Sequence, residues 1–166
     1  ARDYFAEFSK FKKTIEGGVP EQKELIEAIN TGEKFLFSNK KLIDTYCNYL
    51  AHTDLAPANF RIGEGKIYFL DLPAMAFANK YEGWARFLNY CLLHSSELGR
   101  LLLEYIRKNR GDEEYLCLRL MRIYKATYLL DYYVKTLRKT SGDLNLLTQK
   151  RIDFWKEILL SLLADR

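Results

Sequence analysis

The stretch LAHTDLAPANFRIGEGKIYFLD, residues 50–71, sets the reading of the whole chain. Almost everything around it has helical spacing. Inside it, His52, Asp54, Pro57 and Asn59 occupy a short irregular run. Two β-like segments follow, Phe60 to Ile62 and Lys66 to Leu70, with Gly63-Glu64-Gly65 between them as hairpin turn chemistry. A second acid, Asp71, closes the run.

A hairpin folds its two ends back together. Asp71 is therefore expected near Asn59, within about two strand widths at a spacing of roughly 4.8 Å. Asp54 lies just upstream, in a loop that Pro57 keeps from becoming a helix. Two acids and an amide then converge on one spot. An ionised Asp and an Asn carbonyl are hard oxygen ligands of the kind that hold Mg²⁺. A further Asp beside them can take a proton from a hydroxyl. Phosphoryl transfer needs this set, with a metal on the nucleotide phosphates and an acid that orients and deprotonates the attacking group. His-x-Asp, four residues, Asn and then a strand-borne Asp is the spacing of a kinase catalytic loop and metal-binding element. Each residue alone has an ordinary reading: a satisfied loop histidine, a turn acid, a capping amide. Their joint spacing is harder to obtain by accident.

HTDLAPANF together with KIYFLD resembles the aminoglycoside phosphotransferase and choline kinase-like group. The loop of that family typically reads His-Gly-Asp-Leu-His-Pro-x-Asn before a hairpin ending in an apolar-Asp pair. His52, Asp54, Leu55, Pro57, Asn59 and Asp71 stand at the matching positions. The resemblance implies Asp54 as the catalytic base, Asn59 and Asp71 as Mg²⁺ ligands, and His52 as structural support of the loop. It implies ATP or GTP as co-substrate and a small hydroxyl compound, cationic or sugar-like, as acceptor. Thr53 departs from the usual Gly, and Asp71 is followed by Leu-Pro rather than Phe-Gly, which argues against a conventional protein kinase. No Gly-rich phosphate loop and no strand-borne Lys precede the motif. The expectation is therefore a C-terminal lobe, with the nucleotide-covering N-terminal lobe supplied in cis or in trans.

Outward from the motif the chain reads as helices. The spacing of Tyr4, Phe5, Phe8 and Phe11 predicts a helix to about Lys13. Pro20, Glu21 and Glu24 predict another through Asn30, and NTGEKFLFSNKK a loop. A third helix is expected from Lys40 to Leu50. After an irregular loop at 71–83, helices are expected at Glu82 to His94, Glu97 to Asn109, Asp112 to Arg138 and Leu144 to Leu163. The fold class is thus mainly α with one small β-hairpin, the helical lobe of a protein-kinase-like fold. It comprises leading helices at 1–50, the catalytic loop and hairpin at 51–71, and a helical subdomain at 72–166. Tyr81, Glu82 and Trp84 follow the Asp71 loop as candidate acceptor-side residues, where aromatics and an acid suit a cationic substrate. Core packing is the stronger reading for Trp84, since large aromatics are usually well buried. Asp112, Glu113 and Glu114 read as first-turn acids of a helix.

Composition limits the alternatives. The chain has 166 residues, 48% hydrophobic and 29% charged, with a net charge of +4. That describes a globular domain whose basic residues are spread among acids, without a nucleic-acid footprint. Cys47, Cys91 and Cys117 are odd in number, far apart and set in apolar helical contexts, as buried free thiols in a reducing compartment are. No signal peptide opens the chain, and no apolar run is long enough to cross a bilayer, so a cytoplasmic location with no membrane partner is expected. The rival to an enzyme is a pseudokinase-like binding or scaffold module. A pseudokinase usually loses one of the two acids, and this chain keeps both.

Overall fold

The structure is a computed structural model that describes residues 2–164. Ala1, Asp165 and Arg166, the outermost residues of the expected 1–50 and 72–166 segments, lie outside it. The chain is mainly α-helical with two small antiparallel sheets of two strands each. Its described residues divide into two compact units, 3–39 with 123–164, and 40–122 with Arg2.

The first unit is helical. It contains α1 (Tyr4–Gly18), α2 (Lys23–Ser38), the end of α5 (Ser96–Leu137) and α6 (Gly142–Ala164). Asp3 caps α1 by accepting from the backbone N–H groups of Phe5 and Ala6. Tyr4, Phe8, Phe11 and Ile15 then recur at helical spacing and form one buried stripe. Tyr4 meets Tyr124 edge-on at 5.0 Å between ring centres. The loop expected at NTGEKFLFSNKK is instead the second half of α2. Gly32 does not break that helix. A Cβ there would press on Ile123 at 3.2 Å and Phe8 at 3.6 Å, so the glycine permits close packing. The Thr31 hydroxyl bonds back to the Glu27 carbonyl at 2.9 Å, which satisfies it without leaving the helix.

The second unit carries the motif. It holds α3 (Lys40–Thr45), β1 (Tyr49–His52), β2 (Phe60–Gly63), β3 (Lys66–Phe69), β4 (Met75–Ala78), α4 (Glu82–His94) and α5 as far as Arg122. The hairpin β2–β3 forms as expected, with Phe60 opposite Phe69 and Gly63 opposite Lys66. Its turn residues Glu64 and Gly65 both have positive φ, 52° and 70°, the backbone twist that suits a tight hairpin. The helix expected to reach Leu50 ends at Thr45. Tyr49–His52 pairs instead with Met75–Ala78, inside the segment expected to be an irregular loop. The break expected near Asn109–Gly111 is present: Gly111 leaves helical geometry (φ 81°, ψ 175°), so α5 is two helices that meet at a kink there. Ile43, Leu55, Tyr81, Leu88, Cys117 and Leu118 form the core of this unit. Among the described residues no helix is long and apolar enough to cross a membrane.

Candidate active site

Strand β1 delivers His52 at its last position, buried. The Nε2 atom of His52 lies 2.9 Å from the carbonyl oxygen of Leu70. A carbonyl only accepts, so Nε2 carries the hydrogen. Nδ1 is buried with no hydrogen-bond partner among the described residues. At Thr53, where a glycine was expected by family pattern, both the N–H and the hydroxyl donate to the carbonyl of Ala74, each at 3.0 Å. The loop is therefore tied on one side to the end of the hairpin and on the other to the segment just after Asp71.

The loop then turns sharply. The N–H of Ala56 and the side-chain Nδ2 of Asn59 both donate to the carbonyl of Asp54, each at 2.8 Å. Pro57 opens a 3₁₀ turn over Pro57–Asn59. The N–H of Leu70 donates to the carbonyl of Asn59 at 2.9 Å. Asn59 thus touches both segments, by its side chain the Asp54 turn and by its backbone the residue before Asp71. With Nδ2 committed to Asp54, the carbonyl end of the side chain is the atom left for a ligand. Asp71 is exposed and sits in the left-handed region at φ 58°, ψ 51°. That region is rare for a residue with a side chain, and Asp and Asn tolerate it best.

The carboxylate of Asp54 forms an ion pair with Arg86 of α4. Sequence reasoning missed Arg86, since no spacing rule links a helix arginine to a loop acid so far upstream. What brings them together is Gly83. Any Cβ at Gly83 would drive into the carbonyl oxygen of His52, so only glycine lets the start of α4 lie directly against the loop.

The candidate acceptor-side residues separate. Glu82 is fully buried and pairs with Arg2 at 2.5 Å. The Tyr81 hydroxyl donates to Glu114, which also holds Lys80 at 2.6 Å. Glu113 accepts from the Tyr46 hydroxyl at 2.9 Å. Burial, with the Glu113 carboxylate adding, pushes that phenol up to about 12. Two acids expected to serve a helix start therefore bind side chains of other elements. Trp84 is 43% exposed rather than core. Its ring meets Phe87 at 6.4 Å, Phe87 meets Phe60 at 5.3 Å, and Phe60 meets Phe69 at 5.0 Å. An aromatic chain so joins α4 to the hairpin beside Asn59. Tyr81 and Trp84, without Glu82, line a cavity of about 280 Å³ together with Lys80, Tyr105, Ile106 and Arg110.

Among solved structures, the chain is similar to the crystal structure of aminoglycoside phosphotransferase APH(2'')-Ib in an ADP-bound form, with a TM-score of 0.56 and 17% sequence identity. The match covers 96% of this chain and 55% of that one. This chain has the fold of the helical lobe of an aminoglycoside phosphotransferase-like kinase. It spans about half the length of the phosphotransferase it matches. No family model and no curated protein matches it by sequence.

The Asn59 carbonyl oxygen and the Asp71 carboxylate are hard oxygen donors, the type that Mg²⁺ takes. Among the described residues no group of three or more His, Cys, Asp or Glu side chains gathers as a metal cage. Mg²⁺ is ordinarily held by one or two carboxylates plus substrate phosphates. Asn59 and Asp71 are a set of that size, at the two ends of a hairpin whose strands are hydrogen-bonded throughout.

Proposed function

We propose that the chain is the helical lobe of a small-molecule phosphotransferase that moves the γ-phosphate of ATP or GTP to a hydroxyl. The observation that carries this reading is Asn59. Its side chain holds the Asp54 turn and its backbone holds Leu70, the residue before Asp71. The likeness in fold to a phosphotransferase supports it, although fold by itself does not fix chemistry.

In this reading Asp54 orients the acceptor hydroxyl and takes its proton. Arg86 fixes the direction of the Asp54 carboxylate, and the remaining exposed part of that carboxylate faces the acceptor. Asn59 and Asp71 hold Mg²⁺, which when bound offsets charge on the transferring phosphate. His52 keeps the hairpin end in place through Leu70. The acceptor is a small hydroxyl compound. Glu82, the acid expected to select a cationic one, is engaged by Arg2.

A nucleotide-covering lobe, in cis or in trans, completes the site and acts in the cytoplasm. Both small sheets and the turn after Asp71 support this part of the reading. Ile62 is 82% exposed, Phe77 70%, Leu72 65% and Leu50 63%, a concentration of bare apolar side chains that marks an interaction surface. The test is a hydroxyl-acceptor screen with Mg²⁺-ATP on the protein as its native source makes it, with Asp54→Ala as control. Phosphate transfer abolished by Asp54→Ala is the expected result. Tight nucleotide binding with no transfer to any acceptor would favour the scaffold reading.

A further inference from the structure

Of the two acceptor classes expected from the sequence, cationic or sugar-like, the charge around the cavity does not match the cationic one. Lys80 is offset by Glu114 at 2.6 Å and lies over the rings of Tyr46 and Tyr81 at 4.7 and 5.0 Å. Arg107, one turn before Arg110, is paired with Asp112 at 3.4 Å. Arg110 is exposed and has neither a hydrogen bond nor an ion pair among the described residues. It reaches the cavity from the same stripe of α5 as Leu102 and Ile106, four residues apart along the helix. The cavity therefore holds one uncompensated guanidinium.

Its walls are aromatic. Trp84 is 43% exposed and Tyr105 60%, so two broad ring surfaces stay uncovered where such residues usually bury themselves. At about 280 Å³ the space lies near the lower end of ligand pockets, roughly 300 Å³, which suits one or two fused rings. Aromatic faces alone would attract a cation. Here a ligand cation would meet Arg110 and Lys80, with Glu114 already engaged. The carbonyl end of the helix segment before Gly111 carries only about half a unit of negative charge, less than the full charge of Arg110. A guanidinium presents a planar fork that fits carboxylate, sulfonate or phosphate oxygens in pairs.

We propose that this cavity binds a small, flat, apolar anion, its ring against Trp84 and Tyr105 and its acidic group on Arg110. Naming that ligand as the hydroxyl acceptor rests on the phosphotransferase reading; the binding itself does not.

The test is an NMR titration of the whole chain, without nucleotide, using 2-naphthoate and the matched cation 2-naphthylmethylammonium. The indole N–H of Trp84 is the reporter, and that of the fully buried Trp155 is the control. The expected result is a saturable shift of Trp84 with naphthoate alone. Arg110→Gln should weaken it about tenfold, the size of one lost charge-assisted hydrogen bond, and Arg110→Lys should restore part of it. Because Arg110 is exposed and has no ion pair among the described residues, both variants keep the parent melting temperature. Binding is read without nucleotide and without transfer, which separates this site from the fate of the catalytic reading. Equal binding of the cation, an unchanged affinity in Arg110→Gln, or shifts confined to hairpin residues such as Ile62 and Ile67 would each overturn the proposal.

Discussion

The guanidinium of Arg86 closes on the carboxylate of Asp54, joining α4 to the loop after β1. The Arg86 side chain is 14% exposed and that of Asp54 40%. The arginine is thus fixed in packing while the acid keeps an open side. This is the asymmetry of a support and the group it aims. A pair this open to solvent stabilises the fold by at most about 1 kcal/mol, so its main consequence is orientation.

Arg86→Met keeps the apolar stem and removes the charge. It should lower kcat roughly tenfold or more while the melting temperature moves little, and Arg86→Lys should recover part of the loss. Steady-state kinetics beside a thermal melt separate the two effects. A large fall in melting temperature with kcat intact would make Arg86 a packing residue only.

Asp71 carries backbone strain. A residue with a Cβ in the left-handed region costs roughly 1–2 kcal/mol, and an aspartate lies at the low end of that range. Asp71→Gly should therefore stabilise the fold by about 1 kcal/mol and abolish Mg²⁺-dependent transfer. Urea unfolding and a Mg²⁺ titration of activity check both halves. A variant that loses stability would mean that the side chain holds the hairpin end rather than a ligand.

Gly83 is the contact through which α4 reaches the loop. Gly83→Ala sets a methyl against the His52 carbonyl. Backbone cannot yield as a side-chain tip does, so a loss of about 1–3 kcal/mol is expected. The same displacement should carry Arg86 off Asp54 and reduce kcat more than KM. Unchanged stability in a urea melt would show that α4 shifts freely.

Burial pushes the Cys117 thiol up to about 12, above its ordinary value of about 8.5. Between those pH values the folded chain keeps a proton that the unfolded chain releases. Stability is therefore fully present below about pH 8.5 and falls as pH rises towards 12. Tyr46, pushed up to about 12, acts in the same direction above its ordinary value of about 10. Cys117→Ala should make the alkaline decline shallower, read as the urea midpoint at pH 7, 9 and about 10.5. Identical slopes for parent and variant would contradict the assignment.

Features set by neighbouring residues were legible from the amino-acid order. The hairpin was legible because Gly63-Glu64-Gly65 supplies turn chemistry between apolar runs and sets its own register. The stripes of α1, α4 and α6 were legible because helical periodicity is written in neighbouring residues. The spacing of His52, Asp54, Asn59 and Asp71 was legible because the four stand close together in the chain.

The remaining features depend on residues far apart in the chain. Gly32 reads as a breaker until Ile123 and Phe8 are seen against it. Strands β1 and β4 are four residues each, so neither has a periodic signal, and each is defined by the other. Glu82 and Trp84 exchanged their expected settings, since burial in a helix depends on what packs against each face. Arg86 beside Asp54, and Arg110 without a partner among the described residues, follow from where helices dock. A short sequence window fixes backbone preference; the company a side chain keeps is fixed by packing across the fold.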